Sequence, residues 1–318
     1  MMILRGGLSR IYLGACSMSL ALDSQEPSDK KATSSVVPVD ADVNAPDHTF
    51  GSRILESQAD VWSHNAWDHV VPPKEHLDMV QDLLQRQSET RVSDEMARTY
   101  DLADSGQYHE HAADYWNSFY SHHDNRFFKD RKWLSLEFPE LIAATKSDAK
   151  PTTILEVGCG AGNTVFPLLS VNENPQLRLI ACDYAPQAVQ VVKSQPLYEK
   201  PPTGTCEAYV WDLSSGSNDT GDFDPARLPP GVAPGSVDVV VLIFVLSALH
   251  PKEWHAAAEN TYQMLKPGGL VLLRDYGRHD LPQLRFKKNR LLDDNFYGTS
   301  LKSLTQFAET VLEVRVLH

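Results

Sequence analysis

Glycines and acidic residues carry the clearest chemical signal in this sequence of 318 residues. The stretch "ILEVGCGAGN", residues 154–163, passes from apolar residues through Glu156 to glycines at every second position. Gly158, Gly160 and Gly162 therefore follow a predicted strand and open a predicted helix. Such a turn lets a ligand approach the backbone closely and points a helix N-terminus towards it.

Two further acids end the next predicted strands, Asp183 in "LRLIACD" and Asp212 in "CEAYVWDL". In an open α/β sheet these strand ends line one crevice, where a carboxylate accepts hydrogen bonds from ribose hydroxyls. Two carboxylates beside the turn repel a second phosphate, so they suit a nucleoside whose other arm is uncharged or zwitterionic. S-adenosylmethionine is such a ligand, and a dinucleotide-binding fold with the same turn is the alternative.

A regular alternation of strands and helices must position these residues. It predicts a parallel, doubly wound α/β sheet. The five predicted strands are 153–157, 177–183, 206–213, 236–249 and 270–276, and helices are predicted at 163–171, 185–194 and 251–265. The "KPGG" stretch is predicted to be a turn, and 214–235 a surface insertion.

The chain divides into three predicted regions, two of which precede the sheet. Residues 1–49 are predicted to be a disordered leader or linker that can hold a targeting segment, 50–148 an N-terminal helical cap, and 149–318 the cofactor-binding domain. Residues 107–123 place aromatic side chains on one helical face, where Trp116 and Tyr120 lie four residues apart.

Composition excludes several classes of protein. The net charge of −13 argues against a protein that coats nucleic acid without specificity. No apolar run approaches the roughly 20 residues that a membrane span requires. The four cysteines lack metal-site spacing and are interpreted as reduced thiols. We therefore expect neither membrane insertion nor a bound metal. In particular, the histidines at 109, 111, 122 and 123 are not expected to bind a metal ion.

Four motifs in order, "LEVGCGAG", "CDYAP", "WDL" and "LKPGGLVLLRDYG", resemble those of the class I S-adenosylmethionine-dependent methyltransferases. That resemblance implies a Rossmann-like sheet. The flanks "YWNSFY", "FFKDRKWL", "GNTVFPLL" and "LIFVLSALHP" resemble the eukaryotic tRNA N3-methylcytidine methyltransferases over about 50–297. "GSRIL" and "HNAWD" resemble the branch that acts on threonine and arginine tRNA.

The resemblance implies methyl transfer to N3 of a cytidine on the 5′ side of the anticodon loop. The residues that it implies for cofactor binding are Trp116, Tyr120, Gly158, Gly160, Asp183, Asp212, Leu213 and Ile243. The product ring is cationic, so a nearby carboxylate would stabilise it, and Asp275 is predicted for that role. The alternative is that Asp275 only pairs with Arg274 or Arg278.

Basic residues interleaved with aromatics suit contact with the phosphates and bases of tRNA. The predicted tRNA contacts are Phe128, Lys129, Arg131, Arg278, Arg285, Lys287 and Lys288. A solvated basic surface is the alternative. Members of the family can depend on an accessory protein that selects the tRNA, and none is identified by the sequence.

The C-terminal residues differ from the family pattern. After "DNFY", relatives continue with a Gly-Asp-Gly-Thr turn and an aromatic strand, whereas this chain reads "GTSLKSLTQFAETVLEVRVLH". We therefore expect a truncated C-terminal sheet edge, with one helix and one strand at most in this tail. Two alternative functions follow: a catalytically weak homologue that binds tRNA or a partner, and a methyltransferase with a protein or small-molecule substrate. A cytoplasmic location is expected, with a mitochondrial alternative from the acid-poor, Arg-bearing residues 1–22.

Overall fold

A parallel sheet forms the centre of the computed structural model, which describes residues 11–12, 74–92, 112–123, 131, 133–216, 224–279, 281–298 and 304–306. Its strands are β1 (Ile11–Tyr12), β2 (Thr152–Val157), β3 (Leu177–Asp183), β4 (Thr205–Val210), β5 (Val237–Ile243) and β6 (Leu265–Arg274). They lie in the order β1-β6-β5-β2-β3-β4, and every pair is parallel. This confirms the predicted doubly wound, Rossmann-like fold.

Helices cover the sheet and connect its strands. They are α1 (Lys74–Glu89), α2 (Ala112–His123), α3 (Leu134–Glu137), α4 (Pro139–Ala144), α5 (Val165–Ser170), α6 (Pro186–Lys193), α7 (Pro196–Glu199), α8 (Trp254–Met264) and α9 (Leu281–Leu284). Short 3-10 turns lie at Pro225–Arg227, Leu246–Ala248 and Pro251–Glu253. Helix α2, from the predicted cap region, packs against α6.

The two faces of the sheet each bury one set of side chains. Ile154 and Leu179 lie in the core on one face, and Leu155 and Ile180 lie in the core on the other. Neighbouring strand residues point to opposite faces, so a strand covered on both sides reads as a continuous apolar run. This explains the apolar composition of β5, which lies between β2 and β6.

Three predicted strand boundaries were wrong. β5 ends at Ile243 and not at residue 249, because Phe244 adopts a left-handed conformation with φ of 60° and breaks the strand. β4 ends at Val210, so Asp212 lies two residues beyond it. β6 begins at Leu265 and includes the predicted "KPGG" turn, where its register with β5 is irregular and Gly268 has a φ of 73°. This combination is typical of a β-bulge.

The edge of the sheet beside β6 differs from the expectation for residues 1–49. Ile11 and Tyr12, in the predicted disordered leader, pair in parallel with Val271 and Leu272. An edge strand presents unpaired backbone groups, and even a two-residue partner satisfies some of them.

A second, antiparallel sheet lies in the C-terminal region. It contains β7 (Leu291–Asp293), β8 (Phe296–Gly298) and β9 (Leu304–Gln306), in that order. Neither the β7–β8 hairpin nor β9 was predicted from the sequence, because the one strand expected in the tail was "LEVRVLH", residues 312–318. The rest of that tail, residues 307–318, lies outside the described residues.

Buried polar contacts connect α1 to this sheet. The Tyr297 hydroxyl donates to Gln87 Oε1 at 2.9 Å, and Gln87 Nε2 donates to the carbonyl of Gln283 at 3.0 Å. All three side chains are buried. Residues far apart in the sequence therefore form one unit at this edge of the molecule.

In the parts of the chain that the structure describes, no helix is both long and apolar enough to cross a membrane. The same residues contain no group of three or more His, Cys, Asp or Glu side chains suited to holding a metal ion. Of the four histidines named above, 109 and 111 lie outside the described residues.

Candidate active site

The glycine turn between β2 and α5 is built as its sequence predicts. Gly158, Gly160 and Gly162 have φ values of 64°, 54° and 86°, a conformation that costs other residues free energy. A Cβ atom on Gly160 would lie 2.6 Å from the Tyr120 hydroxyl, and one on Gly158 would lie 2.7 Å from Val245. Both positions therefore require glycine for space as well as for conformation.

Asp183 connects the end of β3 to this turn. Its Oδ2 accepts a hydrogen bond from the Gly160 N–H at 2.8 Å, and its Oδ1 accepts one from the Ala185 N–H at 2.9 Å. Burial raises the pKa of the Asp183 carboxyl to about 6, although these two hydrogen bonds oppose the shift. Each oxygen keeps one lone pair for another donor.

The predicted aromatic pair lies above the turn on α2. The Trp116 and Tyr120 rings stack with centroids 6.0 Å apart, as their spacing of four residues predicts. Tyr120 packs with Phe119 and Ala161, which places α2 over the turn. Burial, followed by the negative charge of Asp183, raises the pKa of the Tyr120 phenol well above its usual value. Tyr120 is therefore a neutral hydrogen-bonding group here.

Asp212 and Leu213 are held beside Asp183. The Trp211 N–H donates to the Asp183 carbonyl at 3.0 Å, which brings the segment after β4 against the end of β3. Asp212 Oδ1 accepts hydrogen bonds from the backbone and the hydroxyl of Ser214, at 2.8 and 2.7 Å. The Leu213 carbonyl accepts one from Asn260 Nδ2 at 2.7 Å. The two predicted carboxylates thus lie at the ends of neighbouring strands.

Ile243 and Asp275 lie on the other side of the turn. Ile243 is buried at the end of β5, opposite Arg274 of β6, and Asp275 follows directly. The Asp275 carboxylate accepts hydrogen bonds from the N–H groups of Ser247 and Tyr276, at 2.9 and 2.8 Å. Burial raises its pKa to about 6. In the structure Asp275 holds the 3-10 turn Leu246–Ala248 against the end of β6.

Arg274, one alternative partner for Asp275, makes other contacts. Its guanidinium carbon lies 4.0 Å from the centroid of the Trp133 ring, and Nη1 lies 3.9 Å from Glu137 Oε2. Arg274 is almost fully buried. It therefore holds the segment before α4 against the end of β6, a structural role that its sequence did not indicate.

The predicted tRNA residues occupy different environments. Arg285, Lys287 and Lys288 are exposed, as is Arg278, so a basic surface follows β6. Arg131 instead lies beside the glycine turn, where its Nη1 is 2.9 Å from Glu156 Oε1. Phe128 and Lys129 lie outside the described residues.

Two residues beside the turn and the end of β3 were not singled out from the sequence. Glu156 was noted only as an acid before the turn, yet it is 2% exposed and paired with Arg131. Burial raises its pKa to about 7, although Arg131 and Thr164 oppose this shift. Tyr184 follows Asp183 and is exposed at the same strand end. Its position directly after the acid in "CDYAP" is the sequence signal that could have identified it as part of this edge of the site.

The site suits an S-adenosyl group. The turn at Gly158 and Gly160 has no room for a Cβ, so a ligand meets backbone there. Asp183 and Asp212 offer acceptors at adjoining strand ends, and Trp116 offers a partly exposed aromatic ring beside Tyr120. These residues fit a nucleoside with an amino-acid arm, which agrees with the sequence prediction.

Comparison of the sequence with known proteins identifies the family of this chain. A methyltransferase domain model matches residues 155–271. The tRNA N(3)-methylcytidine methyltransferase trm140 of Schizosaccharomyces pombe is 43% identical over 85% of this chain and 80% of its own length. A Drosophila melanogaster relative, tRNA N(3)-methylcytidine methyltransferase Mettl2, is 39% identical over 78% of this chain and 70% of its own.

A further relative is longer than this chain. The tRNA(Thr) (cytosine(32)-N(3))-methyltransferase of Saccharomyces cerevisiae is 48% identical over 78% of this chain, which spans only 36% of that protein. The fission yeast and fly proteins, in contrast, are matched over most of their length. The chain belongs to the tRNA N3-methylcytidine methyltransferase family.

Proposed function

We propose that this chain transfers the methyl group of S-adenosylmethionine to N3 of cytidine 32 in the anticodon loop of threonine tRNA, the reaction in the name of its budding yeast relative. Arginine tRNA is a second proposed substrate, because "GSRIL" and "HNAWD" resemble the branch of the family that acts on threonine and arginine tRNA. The observation that carries the proposal is the contact between Asp183 and the Gly160 turn beneath the Trp116–Tyr120 pair. It occurs in a chain that is 43% identical to an N3-methylcytidine methyltransferase.

The chemistry requires little from the protein beyond positioning. Cytidine N3 has an available lone pair, so no strong general base is needed. When bound, the sulfonium cofactor supplies an electrophilic methyl group. The protein must hold the base in line with that methyl group. This positioning accelerates the reaction mainly through proximity and orientation. A stacked base must first be turned outwards.

Asp275 is the proposed group for the charge that develops on the ring. With a pKa of about 6, its carboxyl is mostly ionised at neutral pH. Its hydrogen bonds to the N–H groups of Ser247 and Tyr276 fix its orientation at the end of β6. A fixed carboxylate stabilises a developing cation better than water does, because it need not reorganise during the reaction.

The exposed basic residues after β6 are the proposed contacts with the tRNA phosphates. Arg285, Lys287 and Lys288 lie within four positions on a segment whose Phe286 ring stacks on Tyr297, with centroids 4.6 Å apart. The buried Gln87 contacts hold the same segment to α1. An accessory protein that selects the tRNA, and a cytoplasmic location, are proposed from the family resemblance alone.

The test is methyl transfer from labelled S-adenosylmethionine to unmodified threonine tRNA. A transcript with uridine at position 32, the position named for the budding yeast relative, is the matched control. Label on the first transcript and not on the second supports the proposal. Equal label on both transcripts, or label on protein or small molecules instead, would contradict it.

The alternative of a catalytically weak homologue that binds tRNA or a partner predicts cofactor binding with little transfer in the same assay. The predicted cofactor side chains Tyr120, Asp183 and Asp212 all lie around one turn in the described residues, which favours the enzyme. Transfer in the presence of cell extract that exceeds the transfer by extract alone would indicate a missing accessory protein and not a chain without activity.

A further inference from the structure

Arg131 is fixed to both sides of the glycine turn. Its Nη1 donates to Glu156 Oε1 at 2.9 Å, before the turn, and to Thr164 Oγ1 at 2.5 Å, after it. The Arg131 backbone N–H also donates to the Asn163 carbonyl at 3.3 Å. Main chain and side chain are both engaged, so the position of this guanidinium is set by the turn itself.

Part of the guanidinium remains available to a ligand. Arginine has five N–H donors, and the contacts to Glu156 and Thr164 use only Nη1. Among the described residues, no group accepts a hydrogen bond from Nε or Nη2. The Arg131 side chain is 17% exposed, whereas that of Glu156 is 2% exposed. A ligand in the site can therefore reach Arg131 but not Glu156.

The pairing with Glu156 is explained poorly by stability alone. Glu156 Oε2 is buried and has no hydrogen-bond partner in the described residues. Removing such a carboxylate from water costs free energy that one incomplete ion pair seldom recovers. A buried, incompletely paired acidic group of this kind is typical of a functional site, where it orients another group.

The surroundings of Arg131 indicate what it binds. Its charge acts on the Tyr120 phenol, whose oxygen lies next to Gly160. Because Asp183 and Asp212 at the strand ends are assigned to the nucleoside, the amino-acid end of the cofactor is the part that remains for Trp116, Tyr120 and Arg131. That end is an α-amino acid, and a planar guanidinium forms two parallel hydrogen bonds with a carboxylate.

We propose that Arg131 binds the α-carboxylate of the cofactor's amino-acid end, and that Glu156 is a positioning residue that orients the Arg131 guanidinium. This assignment replaces the predicted contact between Arg131 and tRNA. It rests on the proposed function only in taking an S-adenosyl compound as the ligand, and it needs no turnover of tRNA for its test.

Two ligands separate the amino-acid end from the rest of the cofactor. S-adenosylhomocysteine carries the α-carboxylate, and 5′-methylthioadenosine carries adenine, ribose and sulfur without it. Calorimetry on the full chain would measure both Kd values for the wild type, Arg131→Gln and Arg131→Lys. The matched control is Arg285→Gln, because Arg285 is an exposed arginine outside the site.

Losing a charge-assisted bidentate contact should weaken S-adenosylhomocysteine binding to Arg131→Gln by roughly ten- to a hundredfold. Arg131→Lys keeps the charge and should recover part of that loss. Methylthioadenosine should bind all variants alike, which also shows that they are folded. Arg285→Gln should leave both Kd values unchanged.

The affinity for tRNA, measured in parallel by filter binding, should be unchanged in Arg131→Gln and reduced in Arg285→Gln. Equal loss of both small ligands in Arg131→Gln and Arg131→Lys would overturn the proposal, because it would show a purely structural role. Unchanged S-adenosylhomocysteine binding with weakened tRNA binding would also overturn it and return Arg131 to the tRNA surface.

Discussion

The carboxylate of Asp183 lies 2.8 Å from the backbone nitrogen of Gly160 and accepts its hydrogen bond. The end of β3 thereby shapes the turn at the end of β2. The same carboxylate reaches the Ala185 N–H, which orders the start of α6. One side chain thus sets the geometry of the turn and keeps acceptor lone pairs at the strand end where we propose that the cofactor ribose binds.

Asp183→Ala should therefore lose both cofactor binding and stability. We expect S-adenosylhomocysteine affinity to fall at least about tenfold, because a hydrogen bond to a charged group contributes roughly 1.5–3 kcal/mol. Isothermal calorimetry measures the affinity. Asp238→Ala is the matched control, since Asp238 accepts from the Thr153 N–H and from Lys266 at the opposite end of the sheet. Equal loss of affinity in both variants would show that the effect is general destabilisation.

Gly160→Ala tests the need for space beneath Tyr120. The new Cβ would lie 2.6 Å from the Tyr120 hydroxyl, so α2 or the turn must shift. Gly268→Ala is a suitable control, because Gly268 also has a positive φ, of 73°, but nothing lies within 4 Å of its Cβ position.

Both glycine variants should lose about 1–2 kcal/mol from the left-handed backbone, as measured by urea unfolding. Only Gly160→Ala should also lose binding of S-adenosylhomocysteine. Wild-type affinity in Gly160→Ala would contradict the placement of the ligand at this turn.

Glu156→Gln should change how stability depends on pH. Burial raises the pKa of Glu156 from 4.5 to about 7 in the folded chain. The folded state therefore binds more protons than the unfolded state between these values. The resulting contribution to stability is fully present below pH 4.5 and is lost as the pH rises through about 7.

Glutamine cannot ionise, so the variant lacks this loss. Between pH 5 and pH 8, the unfolding free energy of the variant relative to the wild type should rise by on the order of 3 kcal/mol. Urea unfolding at several pH values measures it. Parallel curves for the two proteins would show that Glu156 has an ordinary pKa.

Tyr297→Phe tests the contact between α1 and the C-terminal sheet. It removes the hydroxyl that donates to Gln87 Oε1 at 2.9 Å and accepts from Gln283 at 3.3 Å. Two buried amides then lose a partner, and we expect unfolding free energy to fall by about 1–3 kcal/mol. Tyr209→Phe, whose hydroxyl bonds to Glu207 in a partly exposed position, should lose less. A smaller loss in Tyr297→Phe than in Tyr209→Phe would contradict this account.

The parts of the fold that local patterns could predict were those with regular burial. β3 has the predicted bounds, 177–183, because its apolar run ends at an acid that lies at the sheet edge. β5 was predicted too long, because "LIFVLSAL" is apolar except for Ser247. Its end depends on the φ of Phe244 and on a hydrogen bond from the Ser247 N–H to Asp275. That hydrogen bond joins residues 28 positions apart, so no local pattern predicts it.

Some residues of the candidate site could likewise be predicted from local patterns, and others could not. Gly158, Gly160 and Asp183 were predictable, since a turn and a strand end fix them. The environment of Arg131 was not, because "FFKDR" reads as a basic surface and Glu156 lies 25 residues away. Arg274 was likewise buried by its contact with Trp133, which no local pattern predicts.

The most direct measurement is the identity of the methylated nucleoside. Threonine tRNA incubated with the protein and S-adenosylmethionine would be digested to nucleosides and analysed by mass spectrometry, with Asp183→Ala as the variant impaired in cofactor binding. We expect N3-methylcytidine from the wild type and a large reduction in the variant. Methylation at another atom, such as C5 of cytidine, or equal product from Asp183→Ala, would contradict it.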